Sequence, residues 1–368
     1  MPANALAADL FFAGLYHQRG MILMQGTMKA IQKTGPGVGA RLITAEIPKL
    51  GPRDVLVKVK ACSICGTDLH IWNWDSWAQG RVKTPMIFGH EFCGEIVEVG
   101  SLVLKVQVGD FVSGETHIAD YNCWQCREAN AHICENLKIL GVDTQGSYAE
   151  YVVIPENNAI VNDKSLPIEW ATAQEPLGNA VHTVFAQPVS GRSVSIFGCG
   201  PIGLCAIQLC KAAGATRVFA VDISDYRVEM ARKMGADVVI NASKEDAAKR
   251  ILAETGRGVD VFLEISGHAD ALRAGFASMR PAGEAAILGV FGEKVELDVS
   301  NAIVFKQATV RGINGRRLFT TWHRVAALLK AKKVDLGKII THKFKIEEYE
   351  KAFELMKTGN CGKVVMYP

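Results

Sequence analysis

Three cysteines crowd one short stretch: two residues separate Cys123 from Cys126, and Cys134 follows closely. Three thiolates within about a dozen residues of loop suit a closed, tetrahedral structural zinc site. Buried free thiols are the competing reading. A redox pair is disfavoured because no thioredoxin-type βαβ unit lies beside the CxxC. A looser group lies upstream. Cys65 sits in Cys62-Ser63-Ile64-Cys65-Gly66-Thr67-Asp68-Leu69-His70, and His90-Glu91 follows Gly89. One thiolate, one imidazole and one or two carboxylates can hold zinc while leaving a position open for water or substrate. By spacing alone, a His–Glu pair on a loop is more often a solvated pair than a ligand set.

A third group is Gly198-Cys199-Gly200-Pro201-Ile202-Gly203, a G-x-G-x-x-G. Such a motif gains meaning only between a strand and a helix, and that is its setting here. Gly198 permits the tight turn, Gly200 lets backbone approach a pyrophosphate, and Gly203 lets helix and strand pack closely. The helix N-terminus adds free N–H groups and a positive dipole. Asp222 follows about 20 residues on, where a carboxylate accepts ribose hydroxyls and repels a 2′-phosphate. This favours NAD over NADP, although Arg227 lies close enough in sequence to weaken the preference. Cys199 is expected to serve packing alone.

Two styles of segment position these residues. Before about residue 180 the chain reads as short alternating strands at 29–32, 54–60, 94–100 and 108–112, punctuated by Gly and Pro. After it, a short apolar strand at 193–197 leads into a helix over 202–213. A strand at 217–221 and a helix opened by Ser224 and closed near Gly235 come next. Strands follow at 237–240, 259–264 and 284–288, and a last one at 361–366. Alternating strands and helices imply an α/β fold with a doubly wound parallel sheet.

The chain's 368 residues are too many for one compact core, so two domains are expected. Hydrophobic residues make up 49% and charged ones 21%, as in ordinary globular proteins. A net charge of +3 gives no ground for a nucleic-acid or membrane partner, and no apolar run is long enough to span a bilayer. Ten cysteines in a chain this long read as metal ligands rather than as a disulfide scaffold. Residues 1–27 hold an apolar patch at 10–16 with no Lys or Arg before it, so the basic start of a signal peptide is missing. They are expected to be a disordered extension, or the product of a start codon upstream of Met28.

From Met28 to Pro368 the chain resembles the medium-chain, zinc-containing alcohol dehydrogenases. The resemblance is carried by 65–72 (Cys-Gly-Thr-Asp-Leu-His-Ile-Trp), Gly89-His90-Glu91, Glu115-Thr116-His117, 139–143, Glu175-Pro176-Leu177-Gly178-Asn179-Ala180-Val181, and 312–316. The last four segments are closer to threonine dehydrogenases than to sorbitol or simple alcohol dehydrogenases. The resemblance implies a GroES-like β-rich catalytic domain over 28–180, a Rossmann domain over 181–316, and a segment over 317–368 returning to the catalytic domain. It implies a cytoplasmic homotetramer that oxidises L-threonine at its β-carbon with NAD, giving 2-amino-3-oxobutanoate. Sorbitol or another polyol is the alternative substrate, and a nucleotide-sensing zinc protein without turnover is a more distant one.

Residue by residue, Cys65, His90 and Glu91 match the catalytic zinc ligands. Glu175 matches an acidic group of the metal shell or proton relay, and Thr67 and His70 match the relay. Ile202, Asp222 and Arg227, with Leu288, Gly289, Val290, Ile313 and Asn314, match positions that contact NAD. His117 and Arg316 are the candidates for holding substrate or closing the site. The family's structural zinc takes four cysteines. Asp120 stands where the first would fall, ahead of Cys123, Cys126 and Cys134, so weaker metal binding is expected there. His182 is expected to be a helix residue without chemistry. Trp72, Trp74 and Trp77 either wall the substrate pocket or line a subunit contact.

Overall fold

Strand Asp54–Ser63 is the middle of a seven-stranded sheet. Val55, Val57, Val59 and Ala61 face the core while Lys58 and Lys60 face out, the period of two that a half-buried strand requires. Glu91–Val99 and Tyr151–Pro155 pair with it antiparallel, and so does the last strand, Lys363–Tyr367. That last strand runs parallel to Ile340–Lys345 on its other side, so the C-terminal segment is built into this sheet. The computed structural model describes residues 25–368. The extension expected over 1–27 lies outside them as far as residue 24, and Thr27 already opens the strand Thr27–Lys33.

The second sheet has six parallel strands. Their order is Val238–Asn241, Arg217–Asp222, Ser193–Phe197, Val259–Glu264, Met279–Ile287, Thr309–Gly312. Numbered along the chain this is 3-2-1-4-5-6, the doubly wound order expected from the alternation of elements. Val194, Ile196, Val218, Ala220, Val261 and Leu263 are fully buried, as strands covered by helices on both faces require. Helix Gln174–Val184 runs across residue 180 and packs on helices Pro201–Ala212 and Thr320–Lys330.

Several expected boundaries shift; the strand expected at 284–288 begins at Met279, and the one expected at 361–366 runs from Lys363 to Tyr367. The strand expected at 108–112 begins at Phe111, because Gly109 takes φ 88° and its N–H bonds the Ile96 carbonyl, making 107–110 a turn. The strand expected from 94 begins at Glu91, which places that residue inside the sheet. Among the described residues no helix is long and apolar enough to cross a membrane.

Candidate active site

Sheet register brings the first cluster together. Ser63, at the end of its strand, pairs with Glu91, the first residue of its neighbour, so Cys65 just past one strand meets His90 just before the other. One ligand atom each from Cys65, His90 and Glu91 lies within 4.8 Å of the others. His90 and Glu91 are buried and Cys65 is half-buried.

The surroundings are those of a site for a cation. Asp68 is fully buried, accepts from the Cys65 N–H (2.8 Å) and the Tyr148 hydroxyl (2.6 Å), and places Oδ1 3.5 Å from His90 Nδ1. Burial disfavours a charged His90, yet Asp68 and the Cys65 sulfur pull its pKa well above the ordinary value. A sulfur, an imidazole and a carboxylate converging beside a buried acid fit a zinc ion.

Glu91 has a partner that sequence reasoning missed. Lys363 Nζ lies 2.7 Å from both of its carboxylate oxygens and is itself buried. The Ser63 hydroxyl also donates to Glu91. A lysine inside the apolar run Val364-Val365-Met366 was the available signal. Burial lowers the Lys363 pKa and Glu91 more than restores it, so the ammonium stays charged.

Arg316 takes a role different from the expected substrate contact. It is 1% exposed and all five of its N–H groups are used. Nε and Nη2 grip Glu115 at 2.9 and 2.6 Å, Nη1 reaches Glu175 at 2.5 Å and Asn179 at 3.0 Å, and Nη2 also meets Thr116 at 2.8 Å. Trp322 Nε1 donates to Glu115 as well, at 2.6 Å. No donor remains for a substrate carboxylate. Arg316 follows the edge strand of the parallel sheet, whereas Glu115 follows a strand of the other sheet, so the guanidinium ties the two sheets together. Burial raises the Glu175 pKa despite Arg316, while Arg316 outweighs burial at Glu115 and lowers that one.

His117 packs its ring against Gly315, where a Cβ would sit 2.2 Å from Cε1. It is 6% exposed, its Nδ1 has no hydrogen-bond partner among the described residues, and burial followed by Arg316 lowers its pKa to about 4. His182 Nδ1 contacts the Gly315 carbonyl at 2.9 Å, a structural use. Trp72 stacks on Phe353 with ring centroids 4.4 Å apart and belongs to the core, while Trp77 lies beside His70.

The second cluster hangs on the two-stranded ribbon His117–Ile118 and Lys138–Ile139. Asp120, Cys123, Cys126 and Cys134 bring four ligand atoms within 4.8 Å. Cys123 Sγ is 3.5 Å from Cys126 Sγ and 3.8 Å from Cys134 Sγ, and Asp120 Oδ1 is 3.5 Å from Cys126 Sγ. Backbone N–H groups of Asp120 and Asn136 point at Cys134 sulfur, and that of Glu135 at Cys123 sulfur. N–H groups aimed at sulfur favour thiolates, so this lobe also fits zinc.

The glycine motif lies at the switch point of the parallel sheet, between the paired strands Ser193–Phe197 and Val259–Glu264, where the strand order reverses. Gly198 takes φ 99°, and a Cβ at Gly203 would sit 1.9 Å from the Gly198 carbonyl oxygen. Gly200 caps helix Pro201–Ala212 and has open space where a Cβ would be. Asp222 ends its strand, accepts from the Cys199 N–H at 2.8 Å, and has Arg227 at 3.9 Å. Leu288 and Gly289 follow the fifth strand, and their N–H groups point at the Glu264 carbonyl at 2.9 and 3.3 Å. Ile313 N–H bonds the Ile287 carbonyl, so the Ile313-Asn314 loop leaves the sheet at this same end as Val290. The Glu264 carboxylate turns back on its own loop, Ser266 and Gly267.

Two family descriptions match: alcohol dehydrogenase GroES-like domain over residues 51–164 and zinc-binding dehydrogenase over 201–331. The chain belongs to the zinc-binding alcohol dehydrogenases. Within that family it is 53% identical to an L-threonine 3-dehydrogenase of Pyrococcus horikoshii, over 93% of this chain and 99% of that one. An L-threonine 3-dehydrogenase of Bacillus subtilis is 46% identical, over 94% and 99%. The solved 2R,3R-butanediol dehydrogenase of Bacillus subtilis is 33% identical, with a TM-score of 0.83 over 93% of this chain and 99% of that one. The expected pairing of a GroES-like catalytic part with a Rossmann part is thus met, and as a family member the chain is a nicotinamide- and zinc-dependent oxidoreductase.

Proposed function

We propose that this enzyme oxidises the β-hydroxyl of L-threonine to the ketone, yielding 2-amino-3-oxobutanoate and NADH. The observation that carries the reading is the near-full-length identity of about half to L-threonine 3-dehydrogenases, combined with the largely buried Cys65, His90, Glu91 cluster. Cys65, His90 and Glu91 would hold the catalytic zinc, with Glu175 beside them. Asp120, Cys123, Cys126 and Cys134 would hold a second one. Gly198, Gly200, Ile202, Gly203, Asp222 and Arg227, with Leu288, Gly289, Val290, Ile313 and Asn314, would hold NAD.

When bound, zinc would lower the pKa of an oxygen it holds by many units, and the oxidised nicotinamide would take the hydride. The chain's own groups do the rest. Thr67 and His70 lie three residues apart on helix Gly66–Asn73, hence on one face, and carry the hydroxyl proton toward solvent. Lys363 balances the Glu91 charge, and Asp68 orients His90. Exposed Val310, Val304 and Phe305 near the outer edge of the parallel sheet support a homo-oligomer, which we take to be a cytoplasmic tetramer.

A substrate panel tests the reading. NADH formation from L-threonine should exceed that from sorbitol or 2,3-butanediol by at least about 100-fold in kcat/KM. Faster turnover of a polyol would overturn it.

A further inference from the structure

We propose that Asp75 is a positioning residue for His70, fixing which ring nitrogen receives the relayed proton. Helix Gly66–Asn73 carries Thr67 and His70 and ends at Trp74, a non-glycine residue in the left-handed region at φ 55°. That turn sends the chain back on itself. The Asp75 N–H meets the His70 carbonyl at 3.4 Å, and the Asp75 carboxylate Oδ2 hydrogen-bonds His70 Nδ1. The other oxygen, Oδ1, caps the next helix, Ser76–Arg81, by accepting the Ala78 N–H at 3.0 Å. The carboxylate is therefore fixed at both oxygens. Gln79 Nε2 secures the turn by donating to the Trp74 carbonyl at 2.8 Å, and the Trp77 indole lies 5.8 Å from the His70 ring.

An ionised carboxylate only accepts hydrogen bonds, so the neutral His70 ring must carry its hydrogen on Nδ1. Nε2 is then the free base. In the relay, Thr67 Oγ1 takes the substrate hydroxyl proton as it releases its own to Nε2. The imidazolium so formed donates through Nδ1 to Asp75 and returns a proton to solvent. Electrons and protons balance without a further reactant. Both side chains are partly exposed, 46% for His70 and 38% for Asp75, so solvent competes and the effect is moderate.

The inference rests on the relay reading above, and two measurements keep the two separable. The first needs no substrate. Nitrogen NMR of the holoenzyme, labelled with 15N-histidine and assigned with His70→Gln, should show His70 protonated at Nδ1. In Asp75→Ser, where serine still caps Ser76–Arg81 but is too short to hold the ring, it should show a tautomer mixture. The second is kinetic. Asp75→Ser should lower kcat for L-threonine about 10-fold at unchanged KM and zinc content, and Asp75→Asn should recover part of the loss. In a His70→Gln background Asp75→Ser should have no further effect. An unchanged tautomer would overturn the proposal, as would wild-type kcat in Asp75→Ser or the same 10-fold loss without His70. Wild type that ignores threonine but keeps the Nδ1 tautomer would instead sink the functional reading.

Discussion

The two metal-ligating clusters use similar atoms in opposite settings. Around Cys65, His90 and Glu91 nearly every group is buried, and the charges are answered by other buried groups: Lys363 for Glu91, Asp68 for His90, and Arg316 for Glu175. Around Asp120, Cys123 and Cys126 the residues are half-exposed, Trp124 beside them is 68% exposed, and the answering groups are backbone N–H. Asp120 is held well below the usual carboxylate range by the Asn122 N–H, the Asn136 amide and the Cys123 N–H. One cluster is built onto two paired strands of the seven-stranded sheet, while the other is a lobe on a ribbon. Ligand type alone does not separate a reactive metal site from a supporting one. The density of buried, charge-paired groups behind the ligands does.

That contrast can be broken most forcefully at the buried cluster. Cys65→Ser or His90→Ala should remove its metal and lower kcat/KM by more than about 1,000-fold, since Lewis-acid stabilisation is worth several kcal/mol. Zinc analysis should show the lobe still loaded. Arg316→Leu should destabilise the fold by roughly 3–5 kcal/mol in urea unfolding, because Glu115 and Glu175 are left buried without their cation. An effect under about 1 kcal/mol would mean the guanidinium does not tie the sheets.

His117 supplies a pH test at the seam between the clusters. Its folded pKa, about 4, lies below the unfolded value near 6.5. Its contribution to stability is complete above about pH 6.5. The contribution falls as pH drops toward 4, because only the unfolded chain takes up the proton. The full loss is on the order of 3 kcal/mol, and His117→Gln should flatten the slope in that window. The smallest effect is expected at the lobe. Asp120→Cys should slow zinc loss to a chelator while kcat stays within about twofold, because a fourth thiolate suits zinc better than an oxygen.

Much of the fold was legible because the period of apolar residues changes near residue 180, and the glycine motif sits where a strand meets a helix. The ligand residues were legible by type and spacing. Their meeting was not, since it depends on the Ser63–Glu91 register, which no local pattern encodes. Lys363, 272 positions from Glu91, was invisible as a partner for the same reason. Arg316 was legible as a candidate for holding substrate or closing the site, but its partners were not. Only the three-dimensional fold shows that its donors are already taken by Glu115 and Glu175. Trp72 was expected to wall the substrate pocket or line a subunit contact, and the Phe353 ring stacked on it places it in the core instead.

Stepwise metal removal addresses the division of labour most directly. NADH formation from L-threonine would be followed while a chelator strips zinc and the zinc per subunit is counted. The first, more exposed ion should leave with turnover largely intact, and activity should vanish with the second. Turnover lost with the first ion, or persisting after both are gone, would contradict the assignment of chemistry to Cys65, His90 and Glu91.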